Sequence, residues 1–179
     1  TESSLGLVEH FANYAQHVID RCKLASGALV VDLGSNDGTL LRHFQLGGMR
    51  VLGVEPASRI AAQARAKGVA TIDRFFEPAL ATEIVAQQGL ASMITANNVF
   101  ANIDDLASWV DGIKLLLAPD GAFVFESFYL ADLVSNSVFD FIYHEHLSAF
   151  SVKPIQALFE QVGLVLDAVE SVATKGGAV

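Results

Sequence analysis

Val31-Asp32-Leu33-Gly34-Ser35-Asn36-Asp37-Gly38 is the stretch on which the fold turns. An apolar run, ALVVDL at residues 28–33, leads into it and reads as a strand buried on both faces. The amphipathic pattern over residues 39–45 reads as the helix that follows. Between them Gly34 and Gly38 let the backbone turn tightly and approach a ligand closely. A strand, a glycine-bearing turn and a helix make up the opening unit of an open parallel sheet, whose ligands bind at the carboxyl ends of its strands.

The same alternation runs outward on both sides. Residues 50–54, 69–72, 92–96 and 122–125 read as further strands, and residues 59–67, 77–88 and 106–117 as the helices between them. A longer helix, 5–23, precedes the first strand. Alternating strands and helices imply an α/β fold with a doubly wound, mostly parallel sheet covered on both faces. After Phe125 the alternation breaks. Residues 126–151 are rich in aromatics and histidines and have no clear period, and a loop of that length in a compact domain is usually functional. A helix over 154–162, with Pro154 in its first turn, and a strand over 164–169 are expected beyond it.

Bulk properties narrow the function. The 179 residues suit a single domain, expected over 1–179, and 52% hydrophobic against 17% charged residues can fill a core. Eleven Lys and Arg against 20 Asp and Glu give a net charge of −9, which disfavours nucleic acid as a partner. No apolar run approaches the length of a membrane span, so no membrane partner is expected. A single cysteine, Cys22, rules out an internal disulfide framework and a cysteine zinc cluster, and suggests a cytoplasmic setting. The chain begins at Thr1 without Met and stops just after Gly176-Gly177, so an excerpt of a longer protein is expected.

The glycine turn favours one kind of ligand. Glu55 ends the second strand about 20 residues later, where a carboxylate can accept hydrogen bonds from both hydroxyls of a ribose. A nicotinamide dinucleotide also fits that arrangement. However, the spacing is Gly34-x-x-x-Gly38, not G-x-G-x-x-G, and Asp37 would repel a diphosphate. Asp32 and Asp37 suit a cationic ligand, and S-adenosyl-L-methionine carries both a sulfonium and an ammonium group. Asp32, Gly34, Ser35, Asn36, Asp37, Gly38 and Glu55 are therefore its candidate contacts, with Asn97 and Asn98 at the end of the fourth strand facing its amino acid part. Phe75 and Phe76 either flank the adenine or belong to the core.

Tyr143-His144-Glu145-His146 is the densest cluster of titratable groups. Histidine is the natural general base near neutral pH. In an extended segment His144 and His146 would share one face and Tyr143 and Glu145 the other; a turn would break that rule. Too few ligands surround them for a closed tetrahedral zinc site, so no metal is expected. His10, His17 and His43 stand singly on helical patterns and read as surface or capping residues.

VDLGSNDGTLL (31–41), GVEPA (53–57), ANNVFANI (96–103) and FDFIYHEHLSAFS (139–151) together resemble the C-methyltransferases of nucleotide-linked 4-keto-deoxysugars. Lys175-Gly176-Gly177 matches the start of a Gly-Gly motif in that family. The resemblance implies the class I, Rossmann-like methyltransferase fold, S-adenosyl-L-methionine as cofactor, and a small sugar nucleotide as substrate. It also implies a mechanism. The C4 ketone acidifies the C3 hydrogen, His146 removes it, and the enolate attacks the methyl group on the sulfonium. Tyr143 and Glu145 would orient the sugar or handle protons near C3 and C4. The chain departs from the family at Ala149, where members commonly have Tyr, and the family's N-terminal zinc module and C-terminal domain that helps hold the nucleotide are expected to fall outside this excerpt. Three alternatives differ in chemistry: an O- or N-methyltransferase on another small molecule, a non-catalytic S-adenosyl-L-methionine-binding domain, and a Rossmann-type oxidoreductase.

Overall fold

The computed structural model describes residues 6–172. Lys175-Gly176-Gly177 lies outside the described residues. Five strands, β1 (Leu29–Leu33), β2 (Arg50–Val54), β3 (Thr71–Ile72), β4 (Ala91–Asn97) and β5 (Leu117–Glu126), form one sheet in the order β3-β2-β1-β4-β5. Every pairing is parallel. The order reverses between β1 and β4, which opens a crevice at their carboxyl ends.

Alternation along the strands divides the core in two. Val31 and Leu33 of β1, Ile94 and Ala96 of β4, and Phe123 and Phe125 of β5 belong to one cluster. It is closed by α4 (Pro78–Gln88), α5 (Leu106–Leu116) and α7 (Val152–Gln161). Val30, Met93, Ala122 and Val124 turn to the other face, under α1 (Leu7–Cys22) and α2 (Thr39–Leu46). α3 (Ser58–Ala66) joins that layer through Ala64. In α1 the residues at 11, 14, 15, 18, 19 and 22 face the core, the spacing an amphipathic helix requires.

The sheet order confirms the doubly wound fold, and the expected elements differ from the observed ones mainly at their ends. One expectation fails. Residues 164–169 form no strand. Here the segment is tied to α1 by side chains, with Arg21 donating to Asp167 at 2.9 Å and Glu170 3.5 Å from Arg21. Strand pattern without a backbone ladder does not make a strand. The aperiodic region, in turn, contains a short helix, α6 (Leu130–Ser135).

Candidate active site

A cleft of about 780 Å³ opens over the carboxyl ends of β1, β2 and β4. Asp32, Gly34, Ser35, Asn36, Asp37, Glu55, Asn97 and Asn98 all line it. Gly38 does not. It starts α2 at φ 77°, where a Cβ would press on Val69 at 3.0 Å, so its role is to turn the chain. Gly34 does approach the opposite wall: a Cβ there would lie 2.3 Å from Cγ2 of Val99, at φ 75°.

Glu55 is held by two backbone N–H groups. Its Oε2 accepts from the backbone N–H of Asn36 at 3.0 Å and its Oε1 from that of Ala57 at 2.9 Å. Each oxygen keeps a lone pair for a ligand hydroxyl. Asn36 adopts the left-handed conformation, φ 49°, and its side chain accepts from the N–H of Asp37. Ser35 is buried with its hydroxyl against Gly53, where a Cβ would block it.

Asp37 lines the cleft with its carboxylate tied to its own helix and to Lys67. Its carboxylate accepts from the Thr39 hydroxyl at 2.6 Å and the Thr39 N–H at 3.3 Å, and meets Lys67 Nζ at 3.1 Å. Burial alone would raise its pKa, but these partners outweigh that and hold it below the ordinary value. Asp37 thus does not offer a free charge to a cation. It occupies the N–H of Thr39 in the first turn of α2.

Asp32 is buried mid-sheet, with the Thr95 hydroxyl donating to it at 2.7 Å. Burial pushes its carboxyl up to about 7, against the Thr95 bond, and the nearby Glu55 charge adds to the rise. Asn97 accepts from the N–H of Glu126 at 3.0 Å, and the Asn98 N–H donates to the Glu126 carbonyl at 2.7 Å. The side-chain Nδ2 of Asn97 is buried without a partner among the described residues. Phe75 stands 78% exposed on the cleft wall, while Phe76, although it reaches the cleft, packs edge-on against Trp109 at 5.7 Å.

Tyr143-His144-Glu145-His146 is a turn, closed by the His146 N–H donating to the Tyr143 carbonyl at 3.1 Å. The face-sharing of an extended segment therefore does not hold. The turn sits at the strand tips because the N–H groups of Leu147 and Ser148 donate to the Ala101 carbonyl, just past β4. Phe150 packs on Phe100 at 5.1 Å. The His146 ring lies among Phe128 (4.6 Å), Tyr143 (4.3 Å) and Phe141. Its Nδ1 is 2.8 Å from the Phe141 carbonyl, which only accepts, so Nδ1 carries the proton and Nε2 of the neutral ring is left as the basic nitrogen. Tyr143, Glu145 and His146 do not themselves line the cleft. Among the described residues no three His, Cys, Asp or Glu are grouped to hold a metal, and no helix is long and apolar enough to cross a membrane.

One residue passed over in the sequence stands out. His10, expected at the surface or in a cap, reaches from α1 to the end of β5, its Nε2 2.8 Å from Oε2 of Glu126. The signal was available: His10, Tyr14 and Val18 follow at helical spacing, so His10 continues the buried stripe of α1.

A parallel sheet that reverses order at β1 and β4, with a glycine turn and a carboxylate at the end of β2 lining a cleft, defines a class. Residues 7–169 match the methyltransferase domain family, and the chain belongs to it; its fold is the class I, Rossmann-like fold of S-adenosyl-L-methionine-dependent methyltransferases. Among individual proteins it is similar to the C-methyltransferase NovU of Streptomyces niveus, 38% identical over 173 residues, which cover 97% of this chain and 41% of that protein. The chain therefore spans well under half the length of that relative. Two solved structures share the fold at low identity. Magnesium protoporphyrin IX methyltransferase of Synechocystis with bound SAH has a TM-score of 0.70 and 14% identity over 97% of this chain and 81% of its own. A SAM-dependent methyltransferase of Archaeoglobus fulgidus has a TM-score of 0.72 and 15% identity over 87% of this chain and 68% of its own.

Proposed function

We propose that this chain binds S-adenosyl-L-methionine in the cleft and methylates carbon C3 of a nucleotide-linked 4-keto-deoxysugar, with His146 as the base. The observation that carries the reading is the pairing, at one end of the sheet, of Glu55 held for a ribose with an imidazole held for proton removal. Likeness to a C-methyltransferase supports carbon as the acceptor atom. The Tyr143–His146 motif supports the sugar. A cytoplasmic setting belongs to the same reading.

The residues fit the cofactor. Glu55 offers acceptors to the ribose hydroxyls, Phe75 an exposed ring to the adenine, and Asp32 and Asn97 polar groups to the amino acid end. Asp37 closes the helix terminus to a diphosphate. When bound, the cofactor supplies a methyl group on a positively charged sulfur. The chain's own residues prepare the carbon that accepts it. His146 Nε2 takes the C3 proton, the C4 ketone oxygen holds the resulting charge, and Tyr143 and Glu145, from the same turn, orient the sugar. A placed base gains roughly 10²–10⁴-fold in such a step.

Calorimetry tests the cofactor: S-adenosylhomocysteine should bind and NAD should not, and the reverse result defeats the assignment. NMR of the methylated product tests the acceptor, since a methyl found on oxygen or nitrogen replaces the carbon reading. His146→Ala should keep cofactor affinity and lower turnover about 10²–10⁴-fold, whereas an unchanged rate removes the base.

A further inference from the structure

When the C3 proton leaves, negative charge gathers on the C4 oxygen, and no group named so far meets it. Donors aimed at such an oxygen usually make the largest single contribution to a reaction of this kind. The end of β5 offers two, outside the cofactor cleft.

A second cavity, of about 1240 Å³, is lined by α1, β5 and α7. Where β5 ends, its wall is formed by His10, Glu126, Ser127 and Phe128. This stretch touches both halves of the site. The Glu126 N–H donates to Asn97, which lines the cofactor cleft, and Phe11, next to His10 in α1, lines that cleft as well. On the other side, Phe128 packs on the His146 ring at 4.6 Å. A carbon that gives its proton to His146 and takes a methyl group from the cofactor has to lie within reach of both. Residues 126–128 run from one to the other.

Two polar groups on this wall are open. The His10 ring spends Nε2 on Oε2 of Glu126, 2.8 Å away, and its Nδ1 has no partner among the described residues. The His10 side chain is 21% exposed against 7% for Glu126, so the ring is reachable from the cavity while its carboxylate is covered. An imidazole braced by a carboxylate at one nitrogen presents the other in a fixed direction. Beside it, the Ser127 hydroxyl is buried without a partner among the described residues. A buried hydroxyl left open costs free energy and calls for a ligand group.

Resting on the acceptor reading above, we infer that His10 is a second catalytic residue, which hydrogen-bonds the C4 oxygen of the keto-sugar through Nδ1 as the C3 proton leaves. The C3–H bond breaks and its proton goes to Nε2 of His146. Its electron pair forms the C3=C4 double bond, and the carbonyl pair moves onto the C4 oxygen. That oxygen accepts from Nδ1–H of a His10 ring protonated on both nitrogens, whose charge Glu126 balances, and from the Ser127 hydroxyl. The pair at C3 then takes the methyl group, and the C4 carbonyl is restored.

The test separates proton removal from methyl transfer. With S-adenosylhomocysteine bound, NMR in heavy water follows deuterium entering C3 of thymidine diphosphate 4-keto-6-deoxyglucose. The unmodified protein should exchange that position. His10→Gln keeps a donor toward Glu126 but removes the ring, so exchange should slow roughly 10²–10³-fold while S-adenosylhomocysteine affinity stays within about twofold. Glu126→Gln, of the same shape without the charge, should show the same split and decides the matter if His10→Gln fails to fold. Exchange unchanged in the variants, or slowed only in proportion to lost S-adenosylhomocysteine affinity, overturns the role of His10 and leaves the acceptor reading standing. Absence of exchange in the unmodified protein overturns both.

Discussion

At the scale of a residue, Asp32 is at odds with its surroundings. Its carboxyl is pushed up to about 7 by burial, with Thr95 as its hydrogen-bond partner and Glu55 and Tyr14 nearby. The folded chain therefore holds a proton that the unfolded chain releases near the ordinary aspartate value of about 4. Stability from this group is complete below that value, falls as pH rises toward about 7, and is level above. Asp32→Asn should accordingly raise the thermal midpoint of the ligand-free chain, with a larger gain at pH 8 than at pH 5, while weakening S-adenosyl-L-methionine. A gain independent of pH would contradict the raised value. A carboxylate kept in place at a cost to stability is what a site for a cationic ligand requires. Its type and position were legible in the sequence. Its protonation was not, because that depends on burial by α1 and on Thr95, 63 residues away.

At the scale of elements, the turn between β1 and α2 is set by close approach. Gly34 combines φ 75° with a Cβ position 2.3 Å from Val99. Gly34→Ala should lower the melting temperature and abolish measurable binding of S-adenosylhomocysteine. Adding Val99→Ala should recover only part of the loss, because it removes the clash and leaves the backbone strain, about 1–2 kcal/mol. Full recovery would show that the positive φ does not matter. Residues 164–169 show the opposite case. Their apolar run reads as a strand, yet Asp167 bonds to α1 through Arg21. A periodic pattern reports which face is buried, but a strand needs a neighbouring backbone as well. The Tyr143–His146 turn lacks any period, and its place is decided by two hydrogen bonds to the Ala101 carbonyl.

At the scale of the molecule, one aromatic residue links core and site. Phe100 is fully buried, stacks on Phe125 at 4.9 Å, and meets Trp109, Phe150 and Phe159 within 6 Å. It lies directly after β4 and carries Phe150, four residues beyond His146. Phe100→Ala should cost roughly 3–5 kcal/mol in denaturant unfolding, and should loosen the His146 turn, seen as faster hydrogen exchange at Leu147 and Ser148. A loss below about 1 kcal/mol would mean that the cluster does not support the fold as its packing implies.

The sequence by itself determined the α/β alternation, the glycine turn, Glu55 at the end of β2 and the identity of the Tyr143–His146 motif. Each of these is written in local pattern: period, spacing, or a run of residue types. Only the tertiary structure decided that Asp37 is engaged by Thr39 and Lys67, that His146 keeps Nε2 as its basic nitrogen, and that His10 and Tyr14 meet Glu126 and Asn97 beneath α1. Those outcomes rest on contacts between residues far apart in the chain, and burial and hydrogen bonding at such contacts are set by how helices and sheet pack, which no local period encodes.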